Sequence, residues 1–137
     1  AYSKGVVVVA AAGNAGQNSV SYPARYPHVI GVSALGPSGT KAPYSNFGAG
    51  VDISAPGGAK NGEDPSGGIL QNTINPETGE SIFESYQGTS MAAPHVAGVA
   101  ALIKAAGVTD PDEIENVLKQ SALQVKDDEL NHYGAGK

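Results

Sequence analysis

The stretch Val6-Val7-Val8-Val9-Ala10-Ala11-Ala12-Gly13-Asn14 is apolar from Val6 through Ala12, β-branched in its first half, and shows no alternation of apolar with polar residues. A strand that faces water on one side alternates. One buried on both faces does not, and that habit belongs to parallel sheets. Gly13 and Asn14 end the run in a loop. Val29-Ile30-Gly31-Val32-Ser33-Ala34-Leu35 repeats the pattern, and Val51-Asp52-Ile53-Ser54 reads as a short third strand closed by Ala55-Pro56-Gly57-Gly58. The intervals between the strands are long enough for the crossovers that parallel neighbours need. Their Pro, Gly, Asn and Ser content predicts loops there and not full helices. The fold class expected is α/β, with a mostly parallel sheet.

Beyond the third strand, residues 57–68 are polar and glycine-rich and read as a surface loop or insertion. Ile69 to Ile74 and Glu80 to Tyr86, joined by Asn75-Pro76-Glu77-Thr78-Gly79, predict a β-hairpin. From Ser90 to about Ala106 apolar residues recur almost all round, as in a central helix. Pro94 is expected in its first turn, and Gly107 ends it. A second helix starts at Asp110-Pro111-Asp112-Glu113, with Asp110 as cap, Pro111 at the first position and Ile114, Val117 and Leu118 as its apolar stripe. Ala1 to Lys4, stopped by Gly5, reads as the tail of a helix, so the expectation is a piece of a longer chain. Neither an internal repeat nor a linker divides residues 1–137.

Composition narrows the function classes. The chain has 8 Lys and Arg against 13 Asp and Glu, a net charge of −5 with no basic stripe, which argues against nucleic-acid binding. No apolar run approaches the roughly 20 residues of a membrane-spanning helix. The absence of cysteine removes disulfides, thiolate metal sites and a thiol nucleophile.

The chemistry concentrates in Gly88-Thr89-Ser90-Met91-Ala92-Ala93-Pro94-His95-Val96-Ala97-Gly98. A serine on a sharp turn at the mouth of a helix lies near the positive end of the helix dipole, among backbone N–H groups aimed at whatever its hydroxyl attacks. A serine hydroxyl needs a base to take its proton and donors to hold the oxyanion that forms. Asn14, an amide at the end of a buried strand, is a candidate for the second task. Each residue also has an ordinary reading: Ser90 as a helix cap, Asn14 as a turn residue. No histidine offers itself as base. His95, five residues after Ser90, is rotated about 140° away from it on the helix and reads as a packed helix residue, while His28 and His132 read as surface residues.

The run Gly88 to Gly98 resembles the serine-nucleophile signature of the subtilisin-like serine proteases, the subtilases. Ala11-Ala12-Gly13-Asn14 is similar to that family's oxyanion-hole strand. Tyr22-Pro23-Ala24-Arg25-Tyr26-Pro27-His28-Val29-Ile30-Gly31-Val32, Tyr44-Ser45-Asn46-Phe47-Gly48, Ile53-Ser54-Ala55-Pro56-Gly57 and Tyr133-Gly134-Ala135-Gly136 resemble further family segments in order. The resemblance implies that residues 1–137 are the C-terminal portion of a subtilase catalytic domain. That domain is a three-layer fold with a mostly parallel sheet, a hairpin and a central helix after the nucleophile. The catalytic Asp and His would precede Ala1 and be absent.

On that resemblance, Ser90 is the acylated nucleophile and Asn14 an oxyanion donor. Ala11, Ala12 and Gly13 form one wall of the primary specificity pocket and offer backbone edges to an extended peptide, with Ser21 at the pocket floor. The resemblance also implies a weak cation site for Ca²⁺ or Na⁺ at Asp52 with the carbonyls of Ala24, Tyr26 and Val29; a carboxylate satisfied by loop N–H groups is the alternative, and Glu63-Asp64 is a weaker metal candidate. No cofactor is expected to be required. The function implied is peptide-bond hydrolysis through an acyl-enzyme. The alternatives are a subtilisin-like transpeptidase or macrocyclase, and a non-catalytic pseudo-protease binding module. Expected partners are a polypeptide substrate and the N-terminal half of the catalytic domain, with self-association of the separated piece through its exposed sheet edge. Family tendency points to a secreted or extracellular location.

Overall fold

The valine run forms strand β1, Val8–Ala11, half-buried apart from the buried Ala10, in a three-stranded parallel sheet with β2, Val29–Leu35, and β3, Ile53–Pro56. The computed structural model describes residues 1–62 and 65–137, so the Glu63-Asp64 candidate lies outside the described residues. Register pairs Val9 with Ile30 and Ala11 with Val32, then Val32 with Ile53 and Ala34 with Ala55. The even-numbered residues of β2 therefore share a face with the odd-numbered residues of its neighbours. The third strand starts two residues later than its sequence suggests. Asp52 does not join β3, because its carboxylate accepts the Gly31 N–H and its carbonyl the Ala135 N–H.

One face of the sheet is covered by helices. Ile30, Val32, Ala34, Ile53 and Ala55 pack against Ala92, Val96 and Ala100 of α1, Thr89–Ala105, and Ile114 and Leu118 of α2, Pro111–Ser121. Helix α2 begins as expected, with Asp110 Oδ1 accepting the N–H groups of Asp112 and Glu113 and Pro111 at the first position. The other face is covered by loops. Ala10, Ala12, Val20, Ala24 and Val51 form a second apolar cluster. Ser33 and Ser54 there donate to the carbonyls of His132 and Gly136 in the C-terminal strap.

The hairpin β4, Ile69–Ile74, and β5, Ser81–Tyr86, is antiparallel and stands apart from the main sheet. The N-terminal residues form a single 3-10 turn, Tyr2–Lys4, stopped by Gly5 at φ 74°. Two expectations need correction. Residues 57–68 are not a wholly exposed loop: Gly57 and Gly58 are buried, and both donate to the Leu35 carbonyl. Pro94 lies inside α1 and not in its first turn, because the helix begins at Thr89. The i→i−4 bond it cannot donate leaves the Ser90 carbonyl without that helical partner.

Candidate functional site

Strand β1 and the start of α1 deliver Asn14 and Ser90 to the same place. Gly88, the residue before α1, has φ 155° and ψ 160°, a mirror-extended conformation open to glycine and costly for other residues. It is pinned by donating to the Gly57 carbonyl, at 2.9 Å. The Tyr44 hydroxyl in turn donates to the carbonyls of Gly57 and Gly58, and burial pushes that phenol up from its ordinary pKa. The chain thus arrives at Ser90 from a fixed platform.

Helix α1 has no capping side chain of its own at Gly88. Asn14 supplies the acceptor from 75 residues away: its Oδ1 accepts the Thr89 N–H at 2.9 Å and the Thr89 hydroxyl at 2.9 Å. Because a backbone N–H only donates, this atom must be the amide oxygen, which fixes Nδ2 on the opposite side. Thr89, fully buried, also accepts the Gly13 N–H at 3.2 Å. A Cβ built on Gly88 would lie 3.5 Å from Asn14 Nδ2 and 3.7 Å from the Ser90 nitrogen. Both donors therefore border one hollow, and Gly88 leaves it open. Ser90 is at the second position of the helix, exposed, and not a cap. Its N–H and hydroxyl make no hydrogen bond among the described residues.

The loop carrying Asn14 is held by a buried amide. Asn46 Oδ1 accepts the N–H groups of Ala15 and Gln17, and its Nδ2 donates to the Ala12 carbonyl and, at 3.4 Å, to Ser21 Oγ. Gly13, at φ 107°, fits only without a side chain, since a Cβ there would fall 2.4 Å from Asn46 Nδ2 and 2.6 Å from Ser21 Oγ.

Matched against known proteins, residues 1–136 fit the model of the subtilase family. The chain belongs to the subtilase family. It is 44% identical over 128 residues to an extracellular protease of Xanthomonas campestris pv. campestris, covering 89% of this chain and 20% of that protein. It is 41% identical over 137 residues to Subtilisin BL of Lederbergia lenta, covering 99% of this chain and 45% of that one. Among solved structures, a protease from Pseudoalteromonas arctica superposes with a TM-score of 0.84 at 44% identity, covering 90% of this chain and 38% of that one. The chain thus spans less than half the length of these subtilases.

Within this subtilase chain the other sequence candidates fare differently. Ala12, of the expected pocket wall, is fully buried in the loop-side apolar cluster, and Ala12 and Gly13 offer no pairing edge. The Ala12 N–H donates to Val32 and its carbonyl accepts Ser21 N–H, while the Gly13 carbonyl accepts Asn46 N–H. Ser21, the pocket-floor candidate, is exposed, and its Oγ accepts Asn46 Nδ2 at 3.4 Å.

Asp52 is engaged on both oxygens: Oδ2 accepts the Gly31 N–H at 2.8 Å and Oδ1 pairs with Lys119 at 2.8 Å. Burial alone would pull the Lys119 ammonium down, but Asp52 and Glu115 more than offset this and hold it above the usual lysine value. A cation ligated by Asp52 would have to displace that ammonium. The Tyr26 carbonyl, a second member of the expected set, accepts the Val29 N–H.

The histidines are occupied elsewhere. His95 is exposed and not packed; its Nδ1 donates to the Met91 carbonyl at 2.7 Å. His28 stacks on Tyr2 with ring centroids 3.8 Å apart. His132 is half-buried, with Nδ1 2.8 Å from Asp128 and its ring against Phe47, so it is not the free surface residue expected. Three residues that position the site were not singled out from sequence: Thr89, Asn46 and Tyr44. Each stands inside a quoted motif, and the available signal was a polar residue of hydrogen-bonding type amid a stretch destined for burial.

Proposed function

We propose that Ser90 is the nucleophile of a serine endopeptidase, with Asn14 Nδ2 and the Ser90 N–H as the two donors that receive the oxyanion of the tetrahedral intermediate. The supporting observation is the shared hollow above Gly88, with the orientation of the Asn14 amide dictated by Thr89. Attack of Oγ on a peptide carbonyl breaks its π bond and places negative charge on the oxygen. Two N–H donors held beside that position supply the stabilisation the charge needs. The proton of Oγ needs a base. No described histidine or carboxylate hydrogen-bonds to it, so the base and its orienting carboxylate are assigned to a preceding segment that pairs with the free edge of β1, the N-terminal half of a full subtilase domain. The substrate is a polypeptide, and the subtilase family's tendency supports a location outside the cell.

The test is active-site labelling by a fluorophosphonate. The longer protein, with its N-terminal half, labels at Ser90. Residues 1–137 alone label no more than their Ser90→Ala variant. Labelling of the longer protein at another serine would refute the assignment of the nucleophile; strong labelling of residues 1–137 alone would refute the assignment of the base.

A further inference from the structure

The chain holds eight asparagines, and Asn61 is the one followed by glycine. Asparagine is a thermolabile residue, and the agent that attacks it is internal. The main-chain nitrogen of the next residue adds to the asparagine Cγ and displaces the side-chain nitrogen. That attack needs a nitrogen that bears a hydrogen, an approach uncrowded by a Cβ, and a side chain free to turn toward it.

Every other asparagine is followed by a residue that carries a Cβ, and several are also held. Asn14 Oδ1 is anchored at Thr89. Asn46 is buried and bonded through both Oδ1 and Nδ2. Asn131 Nδ2 donates to the carbonyls of Gly48 and Val51. Asn75 Oδ1 accepts the N–H groups of Glu77 and Thr78, and the nitrogen after it, that of Pro76, bears no hydrogen.

Asn61 meets all three conditions. It is exposed, and its side-chain amide has no hydrogen bond among the described residues. Gly62 is exposed as well, at φ 60°, a left-handed turn position that suits glycine. A Cβ built on it would meet nothing within 4 Å, so the space around the Gly62 backbone is open. The residue before the pair is fixed: the Lys60 N–H donates to Gln87 Oε1 at 2.6 Å, and its ammonium donates to the Ser85 carbonyl at 3.3 Å.

We propose that Asn61–Gly62 is a site of spontaneous deamidation, with water as the co-reactant. The Gly62 nitrogen bonds to Asn61 Cγ and closes a succinimide ring. The Cγ–Nδ2 bond breaks, and the side-chain nitrogen leaves as ammonia with the proton from the Gly62 amide. Water then opens the ring. Cleavage of the bond between Gly62 N and Cγ gives aspartate; cleavage of the bond between Gly62 N and the main-chain carbonyl carbon gives isoaspartate. The balance is one water consumed and one ammonia released, with no oxidation or reduction. Either product carries the chain one unit below its net charge of −5. Isoaspartate also routes the main chain through Cβ and Cγ, one carbon longer, directly after the lysine that braces Ser85 and Gln87. The role of Ser90 has no bearing on this chemistry.

The test is peptide mapping by mass spectrometry after the folded, longer protein has been incubated at mildly alkaline pH in water enriched in heavy oxygen. The protein carries Ser90→Ala, so that self-cleavage does not consume the sample. Heavy oxygen is expected in the peptide that holds Asn61, distributed between aspartate and isoaspartate. The peptides that hold Asn14, Asn46 and Asn131 are expected to stay unlabelled over the same time. Isoelectric focusing of the incubated protein gains an acidic band that the Asn61→Gln variant lacks. Labelling at Asn61 that appears only when urea unfolds the protein would show that the fold protects the pair, and would overturn the proposal. Labelling no greater at Asn61 than at Asn46 would overturn it too.

Discussion

Thr89→Val is the substitution that most sharply separates positioning from packing in this molecule. Valine matches threonine in shape, so the fully buried site keeps its volume while losing one hydroxyl. Two hydrogen bonds go with it: the donation to Asn14 Oδ1 at 2.9 Å and the acceptance of Gly13 N–H at 3.2 Å. The Gly13 N–H is left without its acceptor, a loss of about 1–3 kcal/mol in stability. Asn14 keeps the Thr89 N–H and loses its second anchor. A neutral hydrogen bond contributes about 0.5–1.5 kcal/mol net. If all of that restrains the Asn14 amide, kcat falls about two- to tenfold. The ceiling is the loss of the donor itself, about 10²–10³ in kcat, a figure known for subtilisin.

The assay is steady-state hydrolysis of a peptide anilide by the longer protein, with urea unfolding in parallel. Thr89→Ser, which keeps the hydroxyl, is expected to restore most of kcat. In an Asn14→Ala background Thr89→Val should have no further effect on kcat, because the two residues act as one unit. An equal loss in both backgrounds would show that Thr89 does not act through Asn14 and would refute the reasoning.

Other consequences follow from the ion pairs and caps. Burial alone would raise the Asp128 carboxyl, but the His132 and Tyr133 N–H groups and the His132 ring outweigh it and hold it below its ordinary 3.8. A depressed carboxylate contributes stability above its unfolded pKa and loses it as pH falls through the folded value. Asp128→Asn should therefore lower the urea midpoint at pH 7 and flatten its decline below about pH 4; an unchanged acid limb would contradict this. Asp110→Ala removes the acceptor of two N–H groups at the start of α2 and should cost about 1 kcal/mol in denaturant unfolding. Lys119→Ala frees an oxygen of Asp52, so millimolar Ca²⁺ is expected to raise the melting temperature of that variant and not of wild type. A rise in wild type would show that a cation displaces the ammonium.

β2 was legible because burial on both faces removes alternation, and it falls where its sequence places it, at Val29–Leu35. The α2 start was equally plain, because cap, proline and acids all serve the same helix end. Boundaries that depend on distant partners were not legible. Asp52 reads as a strand residue until Gly31, Lys119 and Ala135 are seen to occupy it. The burial of Gly57 and Gly58 depends on Leu35 and Tyr44, and local composition there gives only a polar loop. At the site, Ser90 and Asn14 were recognisable by residue type and order. Thr89 and Asn46 were not, because their roles consist of hydrogen bonds to residues 25 to 76 positions away.

The central claim is that Asn14 Nδ2 and the Ser90 N–H receive one oxygen. A crystal structure of the longer protein with a peptide phosphonate bonded to Ser90 Oγ addresses it directly. The phosphoryl oxygen is expected at about 2.7–3.1 Å from both nitrogens, with Asn14 Oδ1 still on Thr89. An adduct whose oxygen turns away from Asn14, or an Asn14 amide that leaves Thr89 to point elsewhere, would contradict the account.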